Sequence, residues 1–278
     1  MLILTHLNVI TSSSFLAGLA SLVISIETLV NRKLFESGNI LDWRTTRLSA
    51  PNWALPIFDL LFEYSWSNNL VTELKAIVSL LLIYQACCSQ VSVWTLGLLF
   101  SLHQFTNSRM PIGRDGAIQM TSIVLFGLIL ITWPHNSYLN HLGLLFIATQ
   151  ITLAYTASGW AKWVSPIWRN ENVLASISNT KSFGKPWVAQ FFYRHPTFAR
   201  LSSLAVMIWQ ASFPIVIFSS TKVLVLYLVI GFCFHLSIAI AMGLNTFLYS
   251  FTACYPILII AITELHRVAP WLQVINWK

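Results

Sequence analysis

Apolar runs of about twenty residues follow one another along this chain, and they constrain its fold more than any other feature. Only 9% of the 278 residues are charged and 56% are hydrophobic, whereas soluble domains contain about 25% charged residues. A run of this length spans the hydrocarbon core of a bilayer as an α-helix. Backbone groups inside a bilayer must bond to one another, and the alternating pattern of membrane barrel strands is absent from the sequence. The sequence therefore predicts an integral membrane protein of the all-α class.

The predicted fold is a polytopic membrane helix bundle of about eight spans with interfacial helices and no soluble domain. Residues 1–278 are predicted to form a single membrane domain. Two stretches in the long loops, residues 51–64 and 183–196, combine aromatic residues with charged or basic ends and are predicted to be interfacial helices. The eight predicted spans are residues 8–30, 70–88, 91–106, 116–133, 138–157, 201–219, 221–242 and 245–263.

Basic residues are concentrated in the loops 31–69, 107–115 and 158–200. The net charge of the chain is +7, but basic loops beside apolar spans are a topology signal in membrane proteins. Nucleic acid is therefore not a predicted partner, and the lipid bilayer is. With eight spans, these loops carry twelve Lys and Arg residues and the opposite side carries three. The positive-inside rule alone places the loops in the cytoplasm.

The stretch SGWAKW at residues 158–163 places Lys162 just beyond a predicted helix end, close to Trp160 and Trp168. One interpretation is a lysine that anchors the helix end at the membrane surface, where cations are favoured. The other is an amine in a tryptophan-lined, poorly hydrated pocket, where a lysine can act as a general base or a nucleophile. Composition alone favours the anchor.

Two further polar positions next to or within apolar runs are candidate site residues. Asp115 precedes a predicted span, either as its N-cap or as part of a site in which Arg114 binds an anion or a carboxylate. His235 lies in the middle of a predicted span. It is either a core histidine with a hydrogen-bond partner, or a ligand contact or proton relay.

Three segments taken together resemble the HTTM family, the membrane domain shared with vitamin K-dependent gamma-glutamyl carboxylase. They are GRDGAIQMTSIVLFGLIL (113–130), YTASGWAKWVSPIW (155–168) and FHLSIAIAMGLNTF (234–247). In that family a G-x-x-K motif follows a span, with a tryptophan shortly after it. A later span carries Phe-His with a phenylalanine twelve residues beyond the histidine, and an Asp-Gly pair opens a middle span. The matching positions here are Gly159, Lys162, Trp168, Phe234, His235, Phe247, Asp115 and Gly116.

The resemblance implies roles for these positions and a reduced, vitamin K-like quinone as cofactor. Lys162 matches the lysine that acts as base in the carboxylase chemistry, His235 matches a histidine near the quinone pocket, and Asp115 falls in the segment that lines the same cavity. The chain has one lysine where the eukaryotic carboxylases have two adjacent ones. The predicted catalytic residues are Lys162, His235 and Asp115, the cofactor-binding residues Trp160, His235 and Phe247, and the substrate-binding residues Arg114, Arg169 and Trp168, with no metal ligand predicted.

The chain is expected to lack the large exoplasmic domain of the carboxylases, and it resembles a small bacterial branch typified by the sporulation-delaying-protein toxin maturation factor. This resemblance implies a multi-pass protein of the bacterial cytoplasmic membrane, with its site on the exoplasmic face. The charge count disagrees with that face, and sidedness stays open. The implied partners are a secreted peptide substrate and a small partner protein.

Two functions follow from these observations, and a third is less favoured. The first is a carboxylase-like membrane enzyme that modifies or matures a secreted, toxin-like peptide, with Lys162 as general base. The alternative is a non-enzymatic maturation, export or immunity factor for such a peptide. A small-solute transporter is disfavoured, because the sequence has no pair of Gly- or Pro-broken helices at corresponding positions in two halves.

Overall fold

The computed structural model of the chain describes residues 2–50, 52, 55–109, 115–170, 172–181 and 183–273. These residues are mostly helical and include no β-strand, which confirms the predicted all-α class. The α-helices are α1 Leu2–Val30, α2 Trp43–Thr46, α3 Leu55–Phe62, α4 Ser65–Cys87, α5 Val93–Ser108, α6 Gly116–Ile131, α7 Ser137–Val164, α8 Pro166–Asn170, α9 Val173–Ser178, α10 Pro186–Arg194, α11 Pro196–Ala211, α12 Thr221–Met242, α13 Asn245–Thr252 and α14 Tyr255–Val268. Short 3-10 helices lie at Arg32–Phe35, Arg47–Ser49, Phe213–Phe218 and Pro270–Leu272.

Five helical stretches in the described chain are long and apolar enough to cross a membrane. Each of them overlaps one of the eight predicted spans. Helices α5 and α6 have 16 residues each, which corresponds to about 24 Å of helix against a hydrocarbon core of about 30 Å. The five stretches are Leu7–Val30, Trp66–Cys87, Ser137–Val164, Thr221–Met242 and Asn245–Val268.

Proline interrupts the α-helix within two of the predicted spans. The span predicted at 201–219 ends as an α-helix at Ala211 and continues as the 3-10 helix Phe213–Phe218. Pro214 has no N–H to donate to the carbonyl of Gln210, so the α-helical ladder stops there. In the same way Pro256 has no N–H to donate to the carbonyl of Thr252, the last residue of α13.

The described helices form two compact units. The first comprises Met1–Leu144 and Tyr249–Pro256, and the second comprises Leu145–Leu248 and Ile257–Lys278. In the first unit α1 packs along α4 through small buried residues. A Cβ added at Gly18 would lie 2.8 Å from Cγ1 of Ile83, so any larger residue would require Ile83 to shift. The small buried residues of α1 are Ser13, Ser14, Ala17, Ala20, Ser21 and Ser25.

Arg109, directly after α5, fixes the segment between α1 and α4. Its side chain is fully buried and donates to the carbonyl oxygens of Phe62 at 2.8 Å and Phe35 at 3.2 Å. Its guanidinium carbon lies 5.4 and 5.5 Å from the centroids of the same two rings. Burial lowers the pKa of Arg109 to about 10, so the group is charged at neutral pH. The arginine thus ties residues near both ends of this segment to the end of α5.

A carboxylate at the surface of the same segment holds two other side chains. Asp59 accepts hydrogen bonds from Nε1 of Trp43 at 2.9 Å and from two nitrogens of Arg47 at 2.6 and 2.7 Å. The ring of Trp43 packs on that of Phe62, with 5.0 Å between centroids. The hydrogen bonds from Arg47 and, to a smaller extent, from Trp43 hold the pKa of Asp59 below its ordinary value.

This lowered pKa predicts a pH dependence of local order in residues 43–62. The stabilisation is present above the ordinary carboxyl pKa of about 4 and is lost as the pH falls through the lowered value. We expect a small effect, because the ion pair is exposed. Hydrogen exchange of this segment, corrected for intrinsic rates, should rise in acid for the wild type, and Asp59→Asn should remove the transition. An unchanged transition in Asp59→Asn would contradict the assignment.

Two more basic side chains are buried in the first unit. Lys75 on α4 donates to Oγ1 of Thr106 at 3.1 Å. Nε2 of His103 lies 3.2 Å from the carbonyl oxygen of Ile118; since a carbonyl only accepts, Nε2 carries the proton. These contacts give both side chains a partner within the bundle.

Candidate functional site

Lys162 lies inside α7, in its last turn, and not beyond a helix end as predicted. The predicted span 138–157 is extended because no helix-breaking residue except Gly159 occurs before Val164. Pro166 then follows, and the residue before a proline is disfavoured in the α conformation. Lys162 therefore belongs to a helix and not to a loop.

Gly159 allows α7 to approach α11 closely. A Cβ at this position would lie 2.3 Å from the backbone nitrogen of Ala211 and 2.7 Å from the carbonyl carbon of Gln210. One turn later, Nε1 of Trp163 donates to the carbonyl oxygen of Met207 at 3.3 Å. Since the contacts move forward along α7 and backward along α11, the two helices are antiparallel here.

The close approach brings Gln210 to the ammonium group of Lys162. Nζ of Lys162 donates to Oε1 of Gln210 at 2.9 Å, to Oγ of Ser158 at 2.6 Å and to the carbonyl oxygen of Ser158 at 3.2 Å. The ring centroid of Trp168, on α8, lies 5.2 Å from the same nitrogen. Three acceptor oxygens around one nitrogen match the three N–H groups of an ammonium, and an aromatic face lies beside it. The contacts of the Lys162 amine are thus all made within the second unit.

His235 is the second predicted site residue that lies in the interior of this unit. Its Nε2 lies 2.9 Å from the hydroxyl oxygen of Tyr155 on α7, and both side chains are buried. The rings of His235 and Phe247 are stacked, with centroids 6.3 Å apart and 20° between planes. The structure thus brings together His235 and the phenylalanine twelve residues beyond it.

An aromatic cluster surrounds the Tyr155–His235 pair. The ring centroid of Tyr155 lies 4.9 Å from that of Trp209 and 4.5 Å from that of Phe213. Phe234 packs against Trp209 at 5.6 Å. A hydroxyl and an imidazole are therefore bonded to each other within an aromatic environment, where burying them without a partner would be unfavourable.

The lysine and the histidine are linked through two helices. Tyr155 and Lys162 are seven residues apart on α7, which places them on one face, about 10.5 Å apart along the axis. On α11 the adjacent residues Trp209 and Gln210 contact Tyr155 and Lys162, respectively. We define the candidate site as Tyr155, Lys162, Gln210 and His235, with Trp168 over the ammonium.

Other predicted site residues lie elsewhere. Asp115 belongs to the first unit, where its carboxylate accepts a hydrogen bond from the backbone of Ile118 at 2.9 Å and caps α6. Arg114 lies outside the described residues. Trp160 is 58% exposed, and Arg169 on α8 is also exposed. Trp168, predicted to bind substrate, lies with its ring centroid 5.2 Å from Nζ of Lys162.

The second unit also contains an apolar groove of about 350 Å³ between α7, the 3-10 helix Phe213–Phe218 and α14. Two of its threonines, Thr152 and Thr156, donate to carbonyls of their own helix. The residues predicted to hold a quinone do not line this groove: Trp160 is exposed, and His235 and Phe247 pack on each other. This groove therefore does not support the prediction that Trp160, His235 and Phe247 bind a quinone.

The sequence prediction missed Tyr155, Ser158 and Gln210. Tyr155 and Ser158 stand seven and four residues before Lys162, which is helical spacing and could have identified them. Gln210 is an amide in an apolar run, and such a residue needs a hydrogen-bond partner. Which partner it has depends on the packing of α7 against α11.

Comparisons of the chain with protein-family models, with curated proteins and with solved structures found no match. The likeness to the HTTM family therefore stays a prediction carried by its three segments.

Proposed function

We propose that the chain is a membrane-embedded enzyme that modifies a secreted peptide by proton transfer. The observation that carries this proposal is the hydrogen bond between Tyr155 and His235, in the interior of a unit that also holds the ammonium of Lys162. Ionisable groups at membrane depth are unfavourable and mark functional sites more often than chance. Here two such groups lie on or against the same face of α7.

The Tyr155–His235 pair supplies the proton-transfer group of the proposal. A neutral imidazole accepts a proton at one nitrogen while the other carries one, so it can take up a proton from a substrate or return it. The tyrosine hydroxyl holds Nε2 in a fixed direction. The pair acts as the acid–base group of the proposed reaction.

Lys162 has a different part in this proposal from the one predicted for it. A general base must first be deprotonated, whereas three acceptor oxygens and the Trp168 ring favour the ammonium. We therefore assign to Lys162 the stabilisation of negative charge that develops on the substrate as its proton leaves. Arginine at this position would keep the charge, and methionine would remove it.

We also propose a membrane location and a partner for the enzyme. The protein lies in the cytoplasmic membrane of a bacterium, with a small partner protein that helps to bind the peptide. Helices α5, α6 and α11 provide shorter crossings that complete about eight spans. Helices α3 and α10 lie at the membrane interface.

A second candidate function is supported by the same contacts of Lys162. All three N–H groups of the ammonium have acceptors within the unit, and Trp168 covers it. This is also how a lysine would fix a helix end in a non-enzymatic maturation, export or immunity factor for a peptide. Such a factor would tolerate replacement of His235 by a residue of similar shape.

The test compares peptides secreted by cells that carry the wild type, Lys162→Met, Lys162→Arg, Tyr155→Phe or His235→Gln. Peptide masses are read by spectrometry, and the amount of each variant in the membrane is measured in parallel. We expect His235→Gln to reduce modification on the order of 10²- to 10⁴-fold, as removal of a general acid–base group does. Lys162→Arg should retain more activity than Lys162→Met.

Lys181→Met serves as the matched control, because this lysine is an exposed cation of the same unit. If His235→Gln is as active as this control while present at normal level, the enzyme proposal fails and the non-enzymatic factor takes its place. If Lys162→Arg is as inactive as Lys162→Met, the ammonium role is wrong and the general-base role is restored.

A further inference from the structure

Helix α10 and the start of α11 expose a group of large aromatic side chains. The exposed fractions are 60% for Trp187, 44% for Phe191 and 53% for Phe198. Trp187 and Phe191 are four residues apart and share one face of α10, while Val188 and Ala189 on the opposite face are buried. The helix is thus already packed on one side, and its aromatic side faces outward.

The charged residues near these aromatic rings in the sequence are basic. Lys181, Arg194 and Arg200 are exposed in the structure. Between Glu171 and Glu264 the sequence contains neither aspartate nor glutamate. In the described chain, no salt bridge involves any of these three cations. From residue 172 to residue 263 the charged side chains are therefore all basic, and those of Lys181, Arg194 and Arg200 are exposed beside an apolar group.

A hydrogen bond places the start of α10 at the level where a candidate span ends. Nζ of Lys185, the residue that precedes α10, donates to the carbonyl oxygen of Ile240 on α12. Ile240 lies two residues before the end of the span Thr221–Met242. In the membrane position proposed above, α12 leaves the hydrocarbon region at about this residue, which puts the start of α10 at the boundary between hydrocarbon and headgroups.

We propose that the surface formed by Trp187, Phe191, Phe198, Arg194 and Arg200, the α10 surface, binds the headgroup region of an anionic phospholipid leaflet. The aromatic rings enter the boundary region, which tryptophan prefers, and the arginines contact lipid phosphates in the forked geometry that suits them. This deepens the interfacial position proposed for α10 by naming the lipid that it recognises.

Charge and depth together favour an anionic lipid over a protein partner. A protein interface of this size would need complementary acidic groups and an unobstructed approach, whereas the bilayer is already beside α12. Basic residues near an anionic surface each favour binding on the order of fivefold. Two arginines on one short surface therefore discriminate anionic from zwitterionic lipid.

The test uses the full chain in lipid nanodiscs with an environment-sensitive fluorophore at residue 187. Trp187→Cys is labelled in a background where the exposed Cys87, Cys88 and Cys233 are replaced by alanine. One nanodisc contains phosphatidylcholine alone, and the other contains phosphatidylcholine with phosphatidylglycerol. Both include a lipid spin-labelled near its headgroup, which quenches a fluorophore at that depth.

We expect quenching to be stronger with phosphatidylglycerol and to weaken as salt is added, because salt screens exposed charges. Adding Arg194→Gln and Arg200→Gln should shift the docked fraction on the order of fivefold per residue towards the undocked form. Lys222→Gln is the matched control, since it removes one cation at the opposite end of α12, and it should leave the quenching unchanged.

Two results would overturn the proposal. Equal quenching in both lipid compositions, without effect of salt or of the arginine variants, would leave an interfacial helix with no preference for anionic lipid. Absence of quenching in both would show that the surface does not lie at the headgroup depth. Neither result bears on peptide modification, which the variants of Lys162 and His235 test separately.

Discussion

Replacing Gly159 with alanine should destabilise the second unit by about 1–3 kcal/mol or more, the range for overpacking a well-packed core. The added Cβ would meet the backbone nitrogen of Ala211 at 2.3 Å. Backbone atoms cannot rotate away as a flexible side chain can, so α7 and α11 must separate. For a chain of this size the apparent Tm should fall by roughly 2–4 °C for each kcal/mol.

The same substitution should also impair the candidate site. The new Cβ would lie 2.7 Å from the carbonyl carbon of Gln210, so relief of the clash moves Gln210 away from Lys162. Thermal unfolding in detergent, followed by size-exclusion chromatography, gives the stability. The secreted-peptide assay gives the activity at a temperature where the variant is still folded.

Gly97→Ala is the matched control for Gly159→Ala. Gly97 also lies within a helix, but a Cβ there meets no atom within 4 Å. Alanine is favoured over glycine in a helix by about 1 kcal/mol, so this variant should be as stable as the wild type or more so. If both variants behaved alike, close approach of α7 and α11 at Gly159 would be disproved.

Replacing Arg109 with alanine should destabilise the first unit by about 2–5 kcal/mol, because it leaves two carbonyl oxygens without a donor and empties a buried volume. Those oxygens belong to Phe35 and Phe62, which lie near the ends of the segment between α1 and α4. The segment should therefore become accessible to protease before the spanning helices unfold.

Arg109→Lys separates the contribution of charge from that of geometry. A lysine keeps the charge, but its compact ammonium replaces a fork that contacts two carbonyls and two rings. We expect Arg109→Lys to lie between Arg109→Ala and wild type in protease resistance and in Tm. Arg32→Ala, which removes an exposed arginine from the same segment, is the control and should match the wild type. Equal behaviour of Arg109→Ala and this control would contradict the assignment.

Individual helices show how much of the fold can be predicted from the sequence. The span predicted at 221–242 has the bounds of α12. The apolar run ends at Gly243, which is also the residue that ends the helix. The runs 201–219 and 245–263 were predicted as spans, and the α-helix within each is interrupted next to Pro214 and Pro256. Both prolines are visible in the sequence, but the spans were predicted from hydropathy. Helix α7 extends beyond its predicted end because helical geometry continues through Gly159 up to Val164.

The sequence by itself determined that the chain is helical and fit to cross a membrane, since length and apolarity of a run depend only on neighbouring residues. It also identified Lys162 and His235 as unusual, because a charged or polar group beside or within an apolar run is locally visible. Only the tertiary structure decided their partners. Tyr155 and His235 are 80 residues apart, and Lys162 and Gln210 are 48 apart. Such pairs form where helices pack, and packing is set by close approaches such as that at Gly159.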